Sequence, residues 1–171
     1  MKKNKPYIIV FLIIVALVLI DQAVKMVIPK EEIVLMPGFL KITYSQNTGG
    51  AFSIGSGNLA SIIVINLVIL IIATRFLMVN INKTSKMAKF SLCLIIAGGI
   101  SNLLNRIFLG YVIDYINVEE FIKFPIFNLA DIFIVGRMDY ICNINNRLCY
   151  KNKKIRRKYE RNNYNFGCAY W

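Results

Sequence analysis

Three apolar runs, each about twenty residues long, constrain this chain more than any other feature. They are "YIIVFLIIVALVLIDQAVKMVI" (7–28), "LASIIVINLVILIIATRFLMV" (59–79) and "FSLCLIIAGGISNLLNRIFLG" (90–110). A helix rises about 1.5 Å per residue, so about 20 residues cross a hydrocarbon core of about 30 Å. With 57% hydrophobic residues in 171, the composition is that of a polytopic membrane protein and not of a soluble domain. The first run is read as an uncleaved helix. The charges of "DQAVK" stand where a signal-peptide cleavage site would need small residues.

Basic residues orient the helices. Lys2, Lys3 and Lys5 at the start, and the loop from Arg75 to Lys89, read as cytoplasmic. The segments 29–58 and 110–127 carry lysines offset by Glu31, Glu32, Glu119 and Glu120 and read as facing outward. Within the first of them, "FLKITY" alternates like a short strand. The second reads as a loop or short interfacial stretch. A fourth apolar segment opens at "FPIFNLAD", and its apolar part from Ile126 to Gly136 reaches only about 16 Å as a helix. Beyond it, residues 137–171 hold nine of the 21 lysines and arginines. Arg137 and Asp139 would each cost roughly 2.5–3.5 kcal/mol at the bilayer centre.

The expected fold is an all-α four-helix transmembrane bundle with a small extracytoplasmic strand-containing segment and a shortened fourth helix. The membrane domain is expected over 1–136 and a basic divergent tail over 137–171. The tail reads as a shift out of frame after Gly136, and its charge suits a cytoplasmic, anionic lipid surface better than nucleic acid.

The chain has no histidine and four cysteines. That removes histidine-based acid–base chemistry and leaves no zinc ligand set. Cys93 reads as a small buried hydrophobe. The polar groups inside the spans gather at one depth, near the outward side. Asp21 and Lys25 share a face of the first helix, and Gly98, Asn102 and Arg106 share a face of the third. Asn47, Asp114, Asn128 and Asp131 lie in the outward segments at the same level. Ionisable residues at such depth mark sites. Asp114 and Asp131 can share one proton, the ionised carboxylate serving as base on a water while the protonated one polarises a carbonyl. A proton or ion relay can use the same residues.

Five short motifs then occur in order: "DQAVK" (D-Q-x-x-K), "NTGGAF" (N-x-G-A-A-F), "AGGISNLLNR" (G-x-x-G-N-x-x-D-R), "GYVIDYI" (G-x-V-V-D-F) and "FPIFNLAD" (F-N-x-A-D). In these the chain resembles the lipoprotein signal peptidases, the signal peptidase II family of intramembrane aspartic proteases. The resemblance implies that Asp114 and Asp131 are the catalytic pair. It implies that Asn47, Asn102, Arg106 and Asn128 shape the site and that Asp21 and Lys25 support it. It implies cleavage of diacylglyceryl-modified prolipoproteins just before the lipidated cysteine, in the bacterial cytoplasmic membrane with the site on the extracytoplasmic side. The implied partners are the diacylated substrates and membrane lipids, with no cofactor, no metal and no nucleic acid, in a monomer. An inactive relative that binds without cleaving, and a small ion transporter, are the competing expectations. Ser101, Asn105 and Gly50 depart from the family pattern, which has Gly, Asp and Ala there; Ser101 and Gly50 read as tolerated small-for-small changes.

Overall fold

The structure, a computed structural model, describes residues 5–49, 58–118 and 124–135. Among these, three helices have spanning length: α1 (Lys5–Val27), α2 (Leu59–Asn80) and α3 (Lys86–Leu109). Their ends follow the local sequence. Asn58 caps α2 by accepting the Ser61 amide at 3.1 Å, and Ser85 caps α3 by accepting the Ala88 amide at 3.2 Å. Gly110, at φ 83°, closes α3 in the left-handed conformation and returns its amide to the Arg106 carbonyl.

α3 is the central helix, packed on both α1 and α2. The faces of α1 and α2 turned away from it are apolar and exposed, with Ile8, Phe11, Leu12, Ile65, Ile71 and Ile72 all more than half accessible. Such a belt is at home against lipid chains. The apolar core joins Val10, Leu70, Leu77, Ile81, Leu92, Cys93 and Ile96. Most of it lies toward the start of α1, the end of α2 and the start of α3, with Leu70 at the middle of α2 and Leu103 farther along α3. Cys93 is buried as expected.

The outward segments build a three-stranded antiparallel sheet among the described residues: β1 (Ile33–Met36), β2 (Leu40–Asn47) and β3 (Val112–Asn117), with β2 in the middle. Pro37 and Gly38 make the β1–β2 turn, with Gly38 at φ 71° and the Phe39 amide on the Met36 carbonyl at 3.0 Å. The strand expected at "FLKITY" is β2. The stretch after α3, expected as a loop, is instead β3, because it finds a partner in β2 some seventy residues earlier. Asp114 therefore stands on a strand, opposite Ser45.

Phe127 bridges to Ile116 of β3 and so ties the start of the fourth segment to the sheet. Helical structure resumes over 129–135. Gly98 lets this segment approach α3: a Cβ there would lie 2.5 Å from the Ala130 carbonyl oxygen. Of the expected four-helix bundle, three helices are thus seen at full length and the fourth over its first turns. The expected break after Gly136 and the tail over 137–171 lie outside the described residues.

Candidate active site

The residues expected to form a site meet at one end of the bundle. Asp21, Lys25, Asn102, Arg106, Asp114 and Asn128 are all buried. Lys25 Nζ lies 2.8 Å from Asp21 Oδ2, one helical turn back, and donates to Asn102 Oδ1 at 2.9 Å. Ammonium groups only donate, so the oxygen of Asn102 must face Lys25. Its Nδ2 is left to donate to Asp131 Oδ1 at 2.8 Å.

The other two asparagines are oriented by the same logic. Asn128 Oδ1 accepts the Asp131 amide at 3.0 Å. Its Nδ2 donates to Asp114 Oδ1 at 2.6 Å and to Asn102 Oδ1 at 3.2 Å. Asn47 Oδ1 accepts the Gly49 amide, and its Nδ2 donates to Asp114 Oδ2, each at 2.9 Å. Asp131 Oδ2 accepts the Asn128 amide at 3.1 Å. Asn128 and Asp131 thereby form a reciprocal capping box at the start of the fourth helical segment. Among the described residues, each of the four carboxylate oxygens of Asp114 and Asp131 receives one neutral N–H and keeps a lone pair for a further donor.

The cations stand one step back. Lys25 reaches Asp131 only through Asn102. Arg106 donates through Nη2 to the Gly49 carbonyl at 2.7 Å and through Nη1 to the Asn102 carbonyl at 3.4 Å. Burial pushes the Asp114 carboxyl up to about 6, against the lowering effect of the Asn47 amide, with the neighbouring Asp131 adding to the rise. A carboxyl in that range holds or releases its proton near neutral pH, as acid–base work requires.

Four participants escaped the sequence reading. Ser101, expected only as a tolerated small residue, is fully buried and donates to Asp21 Oδ2 at 2.6 Å. Gln22 Nε2 donates to Ser101 Oγ at 2.6 Å, and Asn105 Nδ2 donates to Gln22 Oε1 at 3.0 Å. The Tyr115 hydroxyl accepts the Leu129 amide at 3.2 Å. Burial holds that phenol up to about 12, so it stays neutral. Four-residue spacing puts Ser101 and Asn105 on one face of α3, but their partners on α1 are some eighty residues away and no local signal names them. Arg106 Nε and Asn105 Oδ1 are buried without a partner among the described residues.

This arrangement holds two carboxylates in one cluster of amide donors. Comparison with known proteins identifies the family. The family profile described as Signal peptidase (SPase) II matches residues 13–143. A lipoprotein signal peptidase of Caldicellulosiruptor bescii is 40% identical over 131 residues, covering 74% of this chain and 83% of that protein. The lipoprotein signal peptidase of Clostridium tetani is 35% identical over 153 residues, covering 84% and 97%. A bacterial membrane enzyme solved by the in meso method at 2.3 Å superposes with a TM-score of 0.72 at 29% identity, covering 81% of this chain and 87% of that one. With its matched profile, relatives and membrane fold in accord, the chain belongs to the signal peptidase II family.

Proposed function

We propose that this chain is a membrane aspartic endopeptidase that removes the signal peptide from diacylglyceryl-modified prolipoproteins, cutting just before the lipidated cysteine. The observation that carries the reading is the pair Asp114 and Asp131. Each is gripped on both oxygens by amides whose orientation a neighbouring group dictates. The ionised member of the pair takes a proton from a water as its oxygen attacks the scissile carbonyl. The protonated member donates to the carbonyl oxygen. The carboxyl that took the water's proton then passes it to the departing nitrogen as the C–N bond breaks. The other carboxylate takes back the proton from the tetrahedral oxygen, releasing the signal peptide as an acid and the cysteine as a new amine. Asn47, Asn102 and Asn128 hold the pair, while Lys25 and Arg106 hold Asn102 and the Gly49 carbonyl, and Asp21 holds Lys25 and the Ala130 amide.

The reading places the site on the extracytoplasmic side of the bacterial cytoplasmic membrane. The charge bias of the loops supports that side. The exposed apolar belt on α1 and α2 supports a multi-pass bundle completed by the fourth segment. A diacylated substrate presents its cleavage point at the membrane surface, the depth at which these carboxylates gather.

The test is cleavage of a diacylated prolipoprotein by the full chain in detergent or lipid, beside Asp114→Asn and Asp131→Asn. We expect cleavage by the unaltered chain and a loss of at least about 10³-fold in either variant, comparable to losing one principal acid–base group. Cleavage that survives either substitution, or binding of substrate with no turnover by the unaltered chain, contradicts the proposal.

A further inference from the structure

A helix begins with amides that have no partner inside it. At the start of the fourth segment three of them are met by three different side chains. The Leu129 amide donates to Tyr115 Oη at 3.2 Å, the Ala130 amide to Asp21 Oδ1 at 2.9 Å, and the Asp131 amide to Asn128 Oδ1 at 3.0 Å. These acceptors come from β3, from α1 and from the segment's own cap. The first turn, which carries Asp131, is therefore pinned from outside as well as by its own cap.

The Asp21 anchor is itself held by a directed run of hydrogen bonds. Asn105 donates to Gln22, Gln22 donates to Ser101, and Ser101 donates to Asp21 Oδ2, where Lys25 also binds. Every proton in the run points toward Asp21. This leaves Oδ1 for Ala130. The direction depends on Asn105 having an N–H to give, which a carboxylate at that position would lack. Three members of the brace are among the positions at which this chain differs from the family motifs quoted above. Ser101 stands for Gly, Asn105 for Asp, and Tyr115 for the Phe of G-x-V-V-D-F. Gly and Phe carry no hydroxyl. Ser101 without Asn105 would lose the group that turns Gln22 toward it, so these two departures support each other across one helical turn.

We propose that the hydroxyls of Ser101 and Tyr115 are positioning groups for Asp131, Tyr115 through the Leu129 amide and Ser101 through Asp21 and the Ala130 amide. The inference rests on the reading of Asp131 as one of the catalytic pair. Asp131 follows these amides by two residues and by one. A turn that slips at either amide carries the carboxylate away from Asn102, and small displacements at a reacting group are costly. The brace acts on the placement of the carboxylate and touches no substrate.

Ser101→Ala and Tyr115→Phe each remove one oxygen and little else. In cleavage of a diacylated prolipoprotein by the full chain, kcat is expected to fall about 3- to 10-fold in each variant, the worth of one hydrogen bond. KM is expected to stay within about twofold, because no binding contact is lost. Amide hydrogen exchange in detergent reads the brace without any chemistry. Exchange at Leu129 is expected to quicken in Tyr115→Phe, and at Ala130 in Ser101→Ala. Unchanged exchange at both amides, or unchanged kcat in both variants, overturns the proposal. If the unaltered chain cleaves nothing while exchange quickens as expected, the brace stands and only the catalytic reading of Asp131 falls.

Discussion

The two halves of α3 are equally buried and chemically opposite. From Ser91 to Ala97 the helix meets its neighbours through Leu92, Cys93, Leu94 and Ile96, within an apolar seam shared with Leu77 and Ile81 of the α2 end. From Gly98 to Arg106 it meets them through two glycines, Ser101, Asn102, Asn105 and Arg106, with Leu103 the one buried apolar side chain carried over from the core. The first half needs only volume and apolar surface, and many residue combinations would pack there. In the second half each polar side chain has at least one named partner. Removing one leaves another buried and unsatisfied. One helix thus separates what holds the bundle together from what the bundle is for.

Substitutions at the two ends should differ in kind. Lys25→Met leaves Asp21 buried without its cation and should cost about 3–5 kcal/mol of stability. It also removes one of the two donors that fix the Asn102 oxygen, leaving only the longer bond from Asn128, so cleavage should fall with it. Leu77→Ala, at a fully buried position in the apolar seam, should cost about 2–5 kcal/mol while the folded fraction keeps its kcat. Denaturation in detergent, paired with activity per folded molecule, measures both. Equal loss of kcat in the two variants would erase the distinction between the halves.

The adjacent glycines sharpen the boundary. A Cβ at Gly98 would sit 2.5 Å from the backbone oxygen of Ala130 and 3.0 Å from Ile134, so the fourth segment must move. Gly98→Ala should cost toward the upper end of the about 1–3 kcal/mol typical of overpacking, and should depress cleavage because Asp131 moves with that segment. A Cβ at Gly99 would meet the tip of the Leu70 side chain at 2.8 Å. That tip can rotate away, so Gly99→Ala should cost less than about 1 kcal/mol. Thermal unfolding of the two variants side by side checks the order.

Much of this was legible in the sequence, for identifiable reasons. The three spans follow from run length alone, since lipid imposes about 20 residues whatever the fold. Asp21 with Lys25, and Asn102 with Arg106, follow from four-residue spacing on one helix. Asp114 and Asp131 were legible as a pair because a chain without histidine has few other ways to move protons. β3 was not legible, because "VIDYIN" forms a strand only beside β2, which is distant in sequence. Nor was Ser101. Its partners Gln22 and Asp21 lie 79 and 80 residues away, and nothing local to a small residue in an apolar helix tells where its hydroxyl points. Tyr115 was passed over for the same reason, its acceptor role being visible only once the fourth segment is laid across β3.

The central claim is that Asp114 and Asp131 titrate as members of one site. It is tested most directly by following the infrared absorption of protonated carboxyl groups in the full chain from about pH 4 to about pH 8, across the range where a raised carboxyl releases its proton. The account predicts a carboxyl band that persists above the ordinary Asp range and is lost near about 6. That band should be absent in Asp114→Asn. In Asp131→Asn, removal of the like charge should move its midpoint to lower pH, but only part of the way, because burial is the larger cause of the rise. A midpoint that ignores Asp131→Asn, or no carboxyl titrating in this range, would contradict the claim that the two carboxylates act as a pair.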